Sequence, residues 1–398
     1  MPRVSVITLH DVANYGSCLQ AYATQVTFGK LGWTTEIVDY HRPKTNTSGR
    51  IRSLLARRGI SENGLLFRIA TAGVARKLFE RYYAHGNVVF DKFRRNQLRL
   101  SDSYSSEEEL EKNPPLADVY CTGSDQVWNS IWNEGFESPL YLTWAPKGKP
   151  RIAFAASIGR EKLDEWEKPL MEKALREYTA ISMRETTGVK LIEELGIEGV
   201  KLVLDPTLML TKQDWEKIAT YPKMPGNSYI LSYQLNQNEQ FVKYARELGH
   251  HLGLPVVKIC YRKRDRQAGA INLVTPEVTD FLGLFLGASY VVTDSFHATA
   301  FSLNLEKPFV SIAPTRFSTR ITSILELTGT HDRLLRNYED LELMEQPIDF
   351  HRASHNLIKA RESSFDYLKQ ALPALNDSSV ENERDETIKV VDKVGASC

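Results

Sequence analysis

Residues 290–312 read YVVTDSFHATAFSLNLEKPFVSI. Tyr290 to Thr293 is a short apolar, β-branched run closed by Asp294 and Ser295, and Phe309 to Ile312 is a second one opened by Pro308. Such a run between turn residues reads as a fully buried strand. The Ala298–Lys307 stretch between them has the length and composition of a helix that returns the chain for a second, parallel strand. The same pattern stands at the other end of the chain. Val4 to Leu9 is a strand, HDVANYGS a loop, CLQAYATQVTFGKLG a helix stopped at Gly32, and TTEIVDY a second strand.

Between these ends the alternation continues. Strands are predicted at Asp118–Thr122, Arg151–Ala156, Ala180–Met183 and Val200–Leu204, with helices over 161–178 and 186–195. Lys212 to Asn227 holds Pro222, Pro225 and Gly226 and reads as a linker. A second series follows: strand YILSYQL, helix Glu239–Leu252 with Gly253 as its stop signal, strand PVVKICY, and a helix started by Thr275-Pro276-Glu277 and ending near Gly287. The expected architecture is α/β, with two Rossmann-like domains facing a cleft. Residues 1–222 form the N-terminal domain and 226–345 the C-terminal one. A closing helical segment covers 346–375, and the tail 376–398 has too few hydrophobic residues to fold.

Composition fits that architecture. Hydrophobic residues make up 42% and charged residues 25%, and Lys+Arg equals Asp+Glu at 50 each. Zero net charge argues against a dedicated nucleic-acid binder. The four cysteines, at 18, 121, 260 and 398, show no metal-type or redox spacing, which fits a reducing compartment. The longest uncharged apolar run, Phe281 to Val292, is too short to span a bilayer. The expected location is the cytoplasm.

Charge is nonetheless segregated. Residues 50–99 carry twelve Lys and Arg against three acids, with Leu54, Leu55, Leu65, Leu66, Phe67, Ile69, Leu78, Phe79 and Tyr82 interleaved. The segment reads as basic amphipathic helices inserted after the second strand. It is either a solvated insertion or a face for an anionic acceptor or an anionic membrane leaflet.

Open α/β sheets bind ligands at the carboxyl ends of their strands, so the loops there are the candidate site. No P-loop, GxGxxG, HExxH or GxSxG occurs in its required context. At Asp294–His297 a helix N-terminus favours an anion. Ser295 is either a hydroxyl donor or a helix cap, and His297 either a proton-transfer group or a surface residue. Arg184, in SMRETTG, suits bidentate recognition of carboxylate or phosphate; the alternative is an ion pair with Glu185 or Glu193. In TGSDQVWN, Asp125, Gln126 and Trp128 offer sugar-type contacts, or else a capped turn over a core tryptophan. Asn14 and Tyr15 lie in another strand-end loop, and Asp205-Pro206-Thr207 reads as structural.

Taken in order, NYGSCLQAYA, GSDQVWN, RIAFAASIG, MRE, VLDPTLML and TDSFHATAFSLNLEKPFV resemble the polysaccharide pyruvyl transferase family over roughly residues 4–330. The resemblance implies a fold similar to B-type glycosyltransferases. It also implies transfer of the pyruvyl group of phosphoenolpyruvate onto two hydroxyls of a sugar, giving a cyclic ketal. The acceptor would be a surface polysaccharide or its lipid-pyrophosphate-linked precursor, handled at the inner face of the plasma membrane. The family arginine maps to Arg184 and the family histidine to His297. Arg316 stands nearest to the basic residue expected after PFVSI, with Arg320 one helical turn on. Ser295 and Arg316 would then bind the donor, and Asn14, Tyr15, Asp125, Gln126 and Trp128 the acceptor. Phosphoenolpyruvate would be a co-substrate, with no metal and no other cofactor. The rival readings are a nucleotide-sugar glycosyltransferase on the same fold and a non-catalytic carbohydrate-binding protein.

Overall fold

A computed structural model describes residues 1–42, 88–224, 226, 228–314 and 319–374. Two all-parallel sheets organise it. The first runs in the order β3-β2-β1-β4-β5-β6-β7. Its strands are β1 (Arg3–Ile7), β2 (Thr34–Tyr40), β3 (Leu100–Tyr104), β4 (Val119–Thr122), β5 (Arg151–Ala156), β6 (Ala180–Met183) and β7 (Lys201–Leu202). The second runs β10-β9-β8-β11-β12, from β8 (Ile230–Tyr233), β9 (Val256–Cys260), β10 (Ile271–Val274), β11 (Tyr290–Thr293) and β12 (Phe309–Ser311). Each order reverses direction once, between β1 and β4 and between β8 and β11. These are the topological switch points at which doubly wound folds bind ligands.

Central strands are short and buried: every residue of β4 and β8, and all but the first of β1. The edge strands differ. β3 is LSDSY and mostly exposed, and β7 keeps only two residues of the expected Val200–Leu204 run. The helix Glu239–Leu252 matches its sequence signals: Asn238 accepts from the backbone of Gln240 and Phe241, and Gly253 stops it at φ 63°. The helix expected from Thr275 starts later, at Val278–Gly287. Thr275 instead extends β10's turn at φ 47°, with its hydroxyl donating to the Tyr261 carbonyl. Part of the expected linker is helical as well: Lys212–Glu216 opens on a reciprocal Thr211–Asp214 capping box.

The helix Phe350–Ala371 returns the chain from the second sheet to the first. Ser364 accepts from the Leu204 amide, the Tyr367 hydroxyl donates to the Ala153 carbonyl, and Arg361 donates to the Leu208 carbonyl. This strap and the core cluster shared by both sheets fix the two switch points relative to each other.

Of the basic segment, only 88–99 falls among the described residues. There a helix over 88–97 buries Phe90 and Phe93 in the shared core. Arg94 is buried too, pairing with Asp91 and donating to the His10 carbonyl, while Lys92 pairs with Glu277 at 3.0 Å. Arg94 is thus spent inside the fold, whereas Lys92, Arg95 and Arg99 are exposed; the remainder of the segment lies outside the described residues, as does the tail. No helix of the described residues is long and apolar enough to cross a membrane.

Candidate active site

The two switch points face one cavity of about 360 Å³, within the roughly 300–1,000 Å³ of small-molecule sites. The loop after β1 contributes Asn14 and Ser17, and the loop after β4 contributes Asp125, Gln126 and Trp132. The second sheet supplies Leu235 and Asn236 after β8, and Asp294, Ser295 and His297 after β11. Arg320, from the helix Thr319–Thr328, completes the wall.

Two helices open into this space. Asn14 caps Tyr15–Lys30 by accepting from the Ser17 amide, and Ser295 caps Phe296–Asn304 by accepting from the Ala298 amide. Each capped helix still leaves first-turn N–H groups without intrahelical partners, and its dipole favours negative charge nearby. The two domains meet here. A Cβ on Gly16 would sit 2.0 Å from His297 Nδ1, so the helix start and the imidazole fit together only because residue 16 has no side chain. Glycine in NYGS serves this contact rather than a turn.

The floor beneath the N-terminal half is an ion network. Asp205 caps the short helix Pro206–Met209 through Thr207, whose amide and hydroxyl both donate to its Oδ1. Its Oδ2 accepts from Arg184 at 2.6 Å and from the Ser124 hydroxyl at 3.0 Å. Arg184 also reaches Asp125 Oδ1 at 3.2 Å, and its guanidinium carbon lies 4.8 Å above the Phe296 ring. Asp125 is held at φ 76°, a left-handed conformation that costs a non-glycine residue energy, and the Ser17 hydroxyl donates to it at 2.5 Å. Beside Arg184, both carboxyls stay well below the usual carboxylate range despite their burial.

The wall from the C-terminal half is not neutralised in this way. His297 is buried, its Nε2 has no hydrogen-bond partner among the described residues, and Asp205 Oδ2 is 3.8 Å away. Burial lowers the imidazole pKa to about 4, with Arg184 and Arg320 adding to the drop and the two aspartates opposing it. The ring is therefore neutral at pH 7. Arg320 has a buried Nε without a hydrogen bond, and among the described residues its guanidinium makes no ion pair. Burial, and then the Arg184 charge, bring its pKa down to about 10. Asp294 is occupied in building the wall, accepting from the Leu235 and Asn236 amides and the Asn236 side chain, and burial raises its pKa.

The cavity brings together Asn14, Asp125, Gln126, Ser295 and His297. Three expected residues lie elsewhere. Trp128 is fully buried, donating to the Leu140 carbonyl and stacked on Tyr141, so it belongs to the first domain's core. Tyr15 is stacked on Phe281 with its hydroxyl on the Pro276 carbonyl, which makes it an inter-domain packing residue. Arg184 has a fully buried side chain spent on two carboxylates, so it does not line the cavity that it stiffens. Arg316 falls outside the described residues. Sequence reasoning singled out neither Trp132 nor Asn236, while Ser17 and Asp294 lay within its candidate loops without a role of their own. Arg320 was visible to it only as the neighbour of Arg316.

A family model described as polysaccharide pyruvyl transferase matches residues 14–316. No curated relative matches the chain in sequence. Among solved structures, the UDP-GlcNAc 2-epimerase from Neisseria meningitidis bound to UDP-GlcNAc is similar at a TM-score of 0.51 and 12% identity, covering 93% of this chain and 100% of that one. A putative UDP-N-acetylglucosamine 2-epimerase from Listeria monocytogenes gives 0.47 at 10% identity, over 94% and 92% of the two chains. The first of these establishes a shared two-domain fold of the B-type glycosyltransferase kind.

Proposed function

The chain belongs to the polysaccharide pyruvyl transferase family, and on that premise we propose that it moves the pyruvyl group of phosphoenolpyruvate onto two hydroxyls of a sugar, releasing phosphate. The observation that carries this reading is Arg320, a cation at the cavity wall with no ion pair among the described residues. A partly buried cation without a counter-charge is unfavourable, and an anionic ligand relieves it. Two helix N-termini facing the same space extend the match to a donor with a phosphate and a carboxylate.

The steps follow from the groups present. The ligand's negative charge raises the pKa of the adjacent imidazole, so His297 acquires a proton as the donor binds. It gives that proton to the methylene carbon, leaving an oxocarbenium-like centre at C2. The first sugar hydroxyl adds there and its proton returns to the imidazole. The C2–O bond to phosphate then breaks, the second hydroxyl closes the ketal, and its proton departs with the phosphate. Arg320 and the helix N-termini hold the anion, while Ser295 keeps the helix start in place. Arg184 acts at one remove, by fixing Asp125 and Asp205 beneath the ring.

The acceptor in this reading is a sugar unit of a surface polysaccharide or of its lipid-linked precursor. Incubating the protein with phosphoenolpyruvate and a panel of acceptor glycans tests the proposal. Mass spectrometry should find one pyruvyl group added per phosphate released. Transfer from a UDP-sugar in place of phosphoenolpyruvate would overturn it.

A further inference from the structure

The chain's most exposed tryptophans are Trp132 and Trp166, both 51% exposed, and Trp132 stands at the rim of the cavity. Its loop is firmly built. Asn129 Oδ1 accepts from the Ile131 and Trp132 amides, the Asn133 amide returns to the Asn129 carbonyl, and the Gly135 amide to that of Ser130. Asn133 is buried with its side-chain NH2 on the Val127 carbonyl. The indole is thus presented by a pre-ordered turn, so holding a ligand there costs little additional ordering. Trp166, equally exposed, does not line the cavity, so what sets Trp132 apart is its place at the cavity rim.

What surrounds it is chemically selective. Gln126, at the base of the same loop, has its Oε1 engaged by Asn129, which leaves its NH2 group as a donor. Asn14 and Asn236 bring further amides to the cavity, from one domain and then the other. An aromatic face next to neutral amides suits a pyranose, whose C–H face is apolar and whose edge carries hydroxyls that both donate and accept. The anion-binding groups, Arg320 and the helix starts, are separate side chains with a different chemistry.

We propose that Trp132 is the platform on which the acceptor pyranose stacks, with Gln126 and Asn236 reading its hydroxyls. This deepens the functional reading above and rests on it for the word acceptor, but the binding itself is testable without turnover. Methyl glycosides of glucose, galactose, mannose and their N-acetylamino counterparts are titrated calorimetrically into the parent protein, Trp132→Phe and Trp132→Ala. Thermal shift with phosphoenolpyruvate is read on the same three samples. At least one glycoside should bind the parent, Trp132→Phe should stay within about threefold of it, and Trp132→Ala should lose about tenfold or more. The phosphoenolpyruvate shift should be the same in all three. Equal sugar affinity of Trp132→Ala and parent, or no glycoside bound by the parent, overturns the platform whatever the phosphoenolpyruvate result. Sugar binding through Trp132 with no phosphoenolpyruvate shift in any sample leaves the platform standing and removes the donor reading instead.

Discussion

The two sheets present the same topology to the cavity and manage charge there in opposite ways. At the first switch point the charged side chains meet one another within the domain, although Arg184 Nε and Glu185 Oε2, 3.9 Å apart, make no hydrogen bond. Arg184 meets Asp205 and Asp125, Ser124 and Ser17 donate to those carboxylates, and Glu185 accepts from the Ser157 hydroxyl and the Ile158 and Gly159 amides. At the second, among the described residues, Arg320 makes no ion pair and His297 Nε2 no hydrogen bond. The first region is a rigid floor and the second an incomplete wall. The cation without a counter-charge stands on the second wall, which is the ground for placing the proposed donor there.

The largest effect expected from this contrast is on the floor. Arg184→Met leaves two buried carboxylates unpaired and should cost about 3–5 kcal/mol of stability, read as a fall in denaturation midpoint. Arg184→Lys should recover only part of it, because a point charge cannot bridge Asp205 and Asp125 as the planar fork does. Arg320→Gln should leave the midpoint unchanged or raise it, since it removes an unanswered cation. Equal losses at both arginines would erase the distinction between floor and wall.

A smaller effect tests how tightly the halves meet. Gly16→Ala forces a methyl group into the His297 ring and should destabilise by about 1–3 kcal/mol. Gly29→Ala, in the same helix, meets nothing within 4 Å, and should stabilise by up to about 1 kcal/mol. Chemical denaturation of the two variants gives the comparison. Like-signed changes would mean that helix propensity, not the inter-domain contact, governs residue 16.

The smallest concerns pH. The folded protein holds His297 near pKa 4, while the unfolded chain titrates it near 6.5. Between those values the unfolded state binds more protons, so stability falls as pH drops from about 6.5 towards 4. The share due to this ring reaches at most ~3 kcal/mol. His297→Gln should flatten that part of the midpoint-versus-pH curve. Parallel curves for the variant and the parent would place the titration elsewhere.

Much of this was legible in the sequence because it is local. A buried strand ending in Gly, Ser or Asp announces its loop, and Asn14, Asp125, Gln126, Ser295 and His297, read in that way, line the cavity. The edge strand β3 was not legible, since LSDSY carries no apolar run for periodicity to detect. The errors at Trp128, Tyr15 and Arg184 share one cause. Each side chain is used up by partners that only the fold brings near: Tyr141 and Leu140, Phe281 and Pro276, Asp205 and Asp125. Choosing Trp132 over Trp128 requires knowing which of two tryptophans on one short loop turns inward. Nothing in GSDQVWNSIW encodes that without the opposing core.

The central claim is that the unpaired guanidinium of Arg320 anchors an anionic three-carbon donor. Calorimetric titration of phosphoenolpyruvate into the parent protein and Arg320→Gln, with no acceptor present, tests it most directly. The account predicts saturable binding to the parent and a loss of about a hundredfold or more in the variant, as for removal of one preorganised charge-stabilising group, with the denaturation midpoint of the free protein undiminished. Equal affinity of the two proteins for phosphoenolpyruvate would contradict it.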